Sequence, residues 1–217
     1  MAKKIGIDLI IFDLDGTLVD SKDDIVNAVN YTLRRHGLKE KKPAEIVSYI
    51  GTGSRELLRK SMDNAVGASL DDVLSTFTGY SIKHCADRSV LYPHVKETLE
   101  YFCDKKKTVV TNRIRDSAER LLGALGVRGY FDLIAGGDNI NCLKPSPCPL
   151  DLMINKLDAD KRRVIIVGDM EIDISAGRNA DILTCAVTYG LGNKEDILKA
   201  RPDFVIDDMI ELKEIID

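Results

Sequence analysis

Short apolar runs recur along this chain of 217 residues, each followed by a stretch with helical spacing, and this alternation constrains the fold more than any other feature. Residues 5–12, 107–111, 163–167 and 183–187 are rich in Ile, Val and Leu, and 204–206 is a weaker run. Such near-continuous apolar runs suit strands buried on both faces. Between them, Val95, Leu99 and Phe102 share one helical face. Residues 116–124 open on Asp116 with Glu119 three places later, the pattern of a capping box. Leu150, Ile154 and Leu157 recur at helical spacing. Strands alternating with helices predict an α/β fold, a Rossmann-like parallel sheet covered on both sides.

Residues 21–83 break the rhythm. They hold helical patterns at 25–36, 43–49, 55–62 and 71–83, punctuated by Gly37, Pro43, Gly51, Gly53 and Gly67, and no buried strand. A helical stretch placed straight after the first strand predicts a small inserted domain. The expected division is a core from residues 1–18 and 84–217 and a helical cap from residues 19–83.

Composition narrows the function. Charged residues make up 30% and hydrophobic residues 44%, ordinary values that exclude wholesale disorder. A net charge of −4 provides no global attraction for nucleic acid or anionic membrane, so neither is expected as a partner. No apolar segment approaches the roughly 20 residues of a membrane helix. The five cysteines, Cys85, Cys103, Cys142, Cys148 and Cys185, include no Cys-x-x-Cys, which points to reduced thiols in a cytoplasmic protein. A monomer or homodimer is expected.

In a parallel α/β sheet, ligands bind beyond the carboxyl ends of the strands. Asp13-Leu14-Asp15-Gly16-Thr17 follows the first run, Thr111-Asn112 the second, and Gly168-Asp169 with Asp173 the third, while Lys144-Pro145 lies in the loop before that third run. Asp13 and Asp15 are two apart, so on an extended segment their carboxylates face one side and Leu14 the other. With Asp169 and Asp173, up to four carboxylates would share a pocket. Two like charges about 4 Å apart repel by roughly 4 kcal/mol at an effective dielectric near 20. Such a cluster needs a divalent cation, a lysine or protonation. Oxygen-only ligands favour Mg²⁺ over zinc, with Lys144 as a second cation. A metal, Lys144 and Thr111 together suit a phosphate. The chain holds decoys of the same short patterns, Asp158-Ala159-Asp160, Lys42-Pro43 and Gly137-Asp138, but none follows a strong apolar run.

The set Asp13-Leu14-Asp15-Gly16-Thr17-Leu18-Val19-Asp20-Ser21, Thr111-Asn112, Lys144-Pro145-Ser146-Pro147 and Val167-Gly168-Asp169 with Asp173 resembles the four motifs of the haloacid dehalogenase-like hydrolase superfamily. The helical insert is similar to the cap of its phosphoglycolate phosphatase-like subfamily. The resemblance implies a Mg²⁺-dependent phosphatase acting on a small phosphorylated metabolite. Asp13 would be the nucleophile that becomes an aspartyl phosphate, and Asp15 the acid and then base. Mg²⁺ would be held by Asp13, Asp169 and the Asp15 backbone carbonyl, with Asp173 as a ligand or beside one. Thr111 and the Asn112 backbone would hold phosphate oxygens, and Lys144 would neutralise nucleophile and phosphoryl group. An acid at Asp15 favours phosphoryl chemistry over carbon–halogen cleavage. Two alternatives stay open: a phosphomutase resembling β-phosphoglucomutase, and a regulator that binds a phosphometabolite without turnover.

The chain departs from the family pattern at Met170 and Glu171, at Ala180-Asp181, and at His94. Glu171 would add a carboxylate near the metal, and His94 would be either a surface helix start or a substrate contact. Substrate choice is expected in the insert, at Gly51-Thr52-Gly53-Ser54-Arg55. There Thr52 and Arg55 would meet the substrate, or Ser54 would cap a helix with Arg55 in solvent.

Overall fold

The computed structural model describes residues 4–63, 69–138 and 142–217. The expected break at Gly67 lies outside the described residues.

The first strand, β1 (Leu9–Phe12), runs into a tight turn and β2 (Val19–Asp20). Helices α1 (Lys22–Arg35), α2 (Pro43–Val47), α3 (Ser54–Ser61) and α4 (Leu70–His84) follow. The chain then alternates: β3 (Val90–Leu91), α5 (Val95–Tyr101), β4 (Lys106–Val110), α6 (Arg115–Ala124), β5 (Leu133–Ala135) and α7 (Cys148–Lys156). It closes with β6 (Val164–Gly168), α8 (Glu171–Asn179), β7 (Leu183–Val187), α9 (Lys194–Lys199), β8 (Phe204–Ile206) and α10 (Leu212–Ile215).

Six strands form one parallel sheet in the order β5-β4-β1-β6-β7-β8. The first strand is central, with Phe12 opposite Val109 of β4 on one side and Val167 of β6 on the other. The chain builds outward from β1 through β4 to β5, then crosses to β6, so the topological switch lies beside β1.

Both faces of the sheet are apolar because successive side chains alternate. Ile10, Phe12, Val109, Ile165 and Val167 pack with Leu99, Phe102, Leu121 and Leu122 on one face. Leu9, Ile11, Val110, Val164 and Ile166 pack with Leu150, Met153 and Ile154 on the other.

Helices α1 to α4 bury a cluster of their own, with Ile25, Val29 and Leu33 against Leu57, Leu58, Val73 and Phe77. Ile114 belongs to that cluster, and Met170 and Leu191 pack against it, so loops after β4, β6 and β7 meet the helical layer. The two chain passages between helical layer and sheet pair as an antiparallel ribbon, with Val19 opposite Leu91 and Asp20 opposite Val90. Asp24, buried in α1, accepts hydrogen bonds from the Arg88 and Ser89 backbone amides and from Ser89 Oγ at 2.7–3.1 Å, which locks the outgoing and returning passages together.

Several local expectations change. The first strand is Leu9–Phe12, shorter than the apolar run; before it, Ile5 makes an isolated bridge to Ile216, and Asp8 bonds through its backbone to Arg163 and Lys106. A short strand, β5, does precede Gly137-Asp138; it has three residues and too little apolar length to stand out. Asp116 forms no capping box; α6 starts one residue earlier, and Asp138 from the neighbouring loop accepts the Arg115 amide. Cys142 and Cys148 are bonded as a disulfide rather than free, because the turn between them brings their Cα atoms to 6.2 Å. Cys85, Cys103 and Cys185 are free. Among the described residues no helix is long and apolar enough to cross a membrane.

Asp24→Ala strands the buried Ser89 amide and hydroxyl and the partly buried Arg88 amide, so it should cost about 3 kcal/mol in chemical denaturation. Exposed Asp23→Ala, one residue earlier on α1, should cost less than about 1 kcal/mol. Equal losses would show that Asp24 does not fasten the two passages.

Candidate active site

Each strand-end motif arrives where the sheet topology directs it. Asp13 leaves β1 and donates its amide to the Val167 carbonyl at 2.9 Å, so it sits between β4 and β6 at the switch point. Asp169 leaves β6, and Asp173 lies in the first turn of α8. Oxygens of Asp13, Asp169 and Asp173 all lie within 4.8 Å of one another, and all three residues are buried. Lys144 lies in the turn before α7, with Nζ 2.5 Å from Asp13 Oδ1 and 2.6 Å from Asp173 Oδ1. Asp169 is held differently: Thr17 Oγ1 donates to Oδ1 at 2.8 Å, and the Leu191 and Gly192 amides donate to Oδ2 at 2.8 and 3.2 Å.

Two glycines make this crowding possible. Gly16 has φ +94°, and a Cβ there would lie 2.2 Å from an Asp169 carboxylate oxygen. A Cβ on Gly168 would lie 2.3 Å from Asp173 Cβ.

Three buried carboxylates against one ammonium leave two negative charges without compensation, and protonation constants register the strain. Burial, reinforced by Asp173, pushes the Asp169 carboxyl up to about 7. Burial also raises Asp13 well above the usual carboxylate range; Lys144 opposes that rise, while Asp173 and Asp169 add to it. Burial disfavours the Lys144 ammonium, but Asp13 and Asp173 together hold it above the ordinary lysine value. An oxygen-only set with two surplus negative charges fits a hard divalent cation. Asp13, Asp169 and Asp173 are the side chains that would hold it.

Asp15 stands apart from this cluster. It lines the same cleft, but its carboxylate is paired with Arg113 rather than grouped with the other three acids. Leu14 between them is fully buried in the core, as an extended segment requires. Thr111 and Asn112 leave β4 and also line the cleft. The Asn112 side chain donates to the Gly51 and Lys144 carbonyls at 2.8 and 3.0 Å and accepts the Lys144 amide at 3.0 Å. Asn112 therefore fastens the lysine turn and the helical layer to the strand end.

The cleft spans about 710 Å³, counting the space open to solvent at its mouth. Its sheet-side wall carries Asp13, Asp15, Thr111, Asn112 and Lys144, and its helical wall mixes apolar Ile25, Ile50, Leu57 and Phe77 with Asp24, Ser81 and His84. Gly51, Gly53 and Ser54 line it, but Thr52 and Arg55 do not. Thr52 turns its hydroxyl to the Tyr49 carbonyl at 2.9 Å, and Arg55 is exposed and paired with Asp71. The expectation that Thr52 and Arg55 meet the substrate finds no support in this arrangement: neither side chain lines the cleft, and Arg55 stands exposed in the first turn of α3. Glu171 is exposed and outside the acidic group. His94 caps α5 and bonds Asp208 at the surface, the helix-start reading. Met170, noted only as a departure, lines the cleft, and its sulfur lies 2.4 Å from where a Gly51 Cβ would be. Arg113, Thr17 and Ser21 were not singled out from sequence; a cation immediately after Thr111-Asn112 was the available signal for Arg113.

The sequence matches the Haloacid dehalogenase-like hydrolase family over residues 10–187. It is 34% identical over 211 residues to a phosphoglycolate phosphatase of Aquifex aeolicus, with 96% of each chain covered. It is 34% identical over 218 residues to a phosphoglycolate phosphatase of Haemophilus influenzae, covering 96% of this chain and 97% of that one. A crystal structure described as a predicted phosphoglycolate phosphatase from Haemophilus somnus superposes with a TM-score of 0.89 at 29% identity, covering 96% of this chain and 97% of the other.

The raised Asp169 value sets a pH dependence. A carboxyl raised from 3.8 to about 7 in the folded state contributes stability below 3.8 that is lost as pH rises through about 7. A divalent cation competes with those protons. Saturating MgCl₂ should therefore raise Tm more near pH 8 than near pH 5 in thermal melts. The same increment at both would separate metal binding from these carboxylates.

Proposed function

The chain belongs to the haloacid dehalogenase-like hydrolase family, and from that premise we propose a Mg²⁺-dependent phosphatase that hydrolyses a small phosphorylated metabolite through an aspartyl phosphate. The observation that carries the proposal is Asp13 at the switch point of the sheet, buried beside Lys144, Asp169 and Asp173. The relatives' names favour phosphoglycolate as the substrate. We read residues 19–83 as the cap that covers the cleft.

Asp13 attacks phosphorus and the ester oxygen leaves, so one difficult displacement becomes two easier ones. Asp15 gives a proton to the departing oxygen, then takes one from the water that attacks phospho-Asp13. Lys144 sits within 2.5 Å of an Asp13 oxygen and offsets the charge that gathers as nucleophile and phosphoryl group meet. Thr111 and the Asn112 backbone hold phosphate oxygens from the next strand end. When bound, Mg²⁺ supplies positive charge to the phosphoryl oxygens and orients them. We assign it to Asp13, Asp169, Asp173 and the Asp15 carbonyl. Ile25, Ile50, Leu57 and Phe77 lower the polarity around the cleft, which strengthens charge interactions inside.

Purified protein with MgCl₂ should release inorganic phosphate from phosphoglycolate and from p-nitrophenyl phosphate. Asp13→Asn should lower kcat by about 10⁴-fold or more on both while the protein still melts cooperatively. Undiminished turnover by Asp13→Asn would sink the mechanism. An isomerised sugar phosphate in place of free phosphate would mark a mutase instead.

A further inference from the structure

Arg113 has no part in the scheme above, yet it makes the most specific side-chain contact in the cleft. Its Nε donates to Asp15 Oδ2 at 2.9 Å, and its second terminal nitrogen lies 2.9 Å from Asp15 Oδ1. The remaining terminal nitrogen donates to Ser117 Oγ at 3.1 Å. From the other side, Ser21 Oγ donates to Asp15 Oδ1 at 2.5 Å. The side chains of Arg113 and Asp15 are 9% and 12% exposed. The guanidinium is thus used on every side; on Asp15, Oδ1 takes both Arg113 and Ser21, while Oδ2 accepts Arg113 Nε and keeps a lone pair for a proton. A planar two-point pair defines the plane and rotamer of a carboxylate, which a single ammonium cannot do. Asp15 needs such a constraint, since it projects from a turn between two short strands, 98 residues away in sequence from Arg113. A proton-transfer group displaced by about 1 Å loses roughly a hundredfold in rate.

We propose that Arg113 is the positioning residue for Asp15, with Ser117 and Ser21 bracing the two ends of the pair. The proposal rests on the acid–base reading of Asp15. In the first step an Asp13 oxygen bonds to phosphorus as the P–O bond to the leaving group breaks, that bond's electron pair stays on the ester oxygen, and that oxygen receives the Asp15 proton. In the second step the water oxygen bonds to phosphorus, the bond from phosphorus to the Asp13 oxygen breaks with its electron pair returning to Asp13, and Asp15 receives a proton of the water. Arg113 holds the carboxylate so that both transfers use one geometry, and it makes no contact of its own with the phosphoryl group.

The test compares phenyl phosphate, whose leaving oxygen needs a proton more, with p-nitrophenyl phosphate, whose leaving group departs readily as the anion. Arg113→Lys keeps the charge and removes the fork. It should lower kcat/KM, which reports the leaving-group step alone, by roughly tenfold or more on phenyl phosphate and by less than about threefold on p-nitrophenyl phosphate; kcat also carries the second proton transfer, which is the same for both esters. Asp15→Asn should show the same selectivity more strongly. Equal losses in kcat/KM on both esters for Arg113→Lys overturn the proposal; if they come from a raised KM with unchanged kcat, Arg113 is a substrate contact instead. Should Asp15→Asn itself lack the selectivity, the acid–base reading falls and the positioning role falls with it. Should Asp15→Asn be selective and Arg113→Lys not, only the positioning role falls. Ser117→Ala, which leaves both charges in place, should show the same selectivity in smaller measure and decides the question if Arg113→Lys does not fold. Equal losses there count against the proposal as well.

Discussion

Lys144 sits between Asp13 and Asp173, and the end of the sheet is organised around that buried cluster of charge. Three carboxylates within 4.8 Å of one another are tolerable only because other groups share their charge. Thr17 and two backbone amides hold Asp169, and Asn112 pins the lysine turn from both its amide and its carbonyl. The side chains gathered at the sheet's end are therefore the ones whose unpaired burial would cost most. Even so, the protein's own groups leave the balance incomplete, which is why the Asp169 carboxyl is pushed up to about 7 by burial and by Asp173.

A second set of contacts ties this polar floor to the helical layer above it. Asp24 fastens the two chain passages, Asn112 reaches the Gly51 carbonyl, and Met170 meets the glycine loop before α3. The Arg113–Asp15 pair belongs to the same seam, because Ser21, which braces it, stands at the first residue before α1. Chemistry and enclosure are coupled in this arrangement: the residue that bonds the acid also opens the helix that leads into the cleft wall.

Most of the framework was legible in the sequence. Residues 163–167 and 183–187 read as buried strands because a parallel strand covered on both faces admits few polar residues, and β6 and β7 lie there. The helical spacings in 25–36 and 71–83 likewise mark α1 and α4, whose apolar stripes face one another. What was harder to read depends on contacts distant in sequence. Three-residue β5 is a strand because β4 is beside it, and α6 begins where Asp138 of another loop accepts its first amide. The segment Gly51-Thr52-Gly53-Ser54-Arg55 left two readings of Arg55 open, a substrate contact or a side chain in solvent; its exposure and its pairing with Asp71 of α4 are tertiary facts. Cys142 and Cys148 looked unrelated until the turn between them was traced.

The sequence by itself determined which side chains stand at the carboxyl ends of which strands, since strand length, alternation and the glycines at Gly16 and Gly168 are local properties. It therefore determined that acids, a threonine and a lysine of the family motifs would collect at one edge of a parallel sheet. Only the tertiary structure decided how those groups divide: Asp13, Asp169 and Asp173 into one cluster with Lys144, and Asp15 onto Arg113. The physical reason is that an ion pair is selected by distance and direction among charges brought together by separate loops. No spacing along the chain encodes a partnership between residues 98 positions apart.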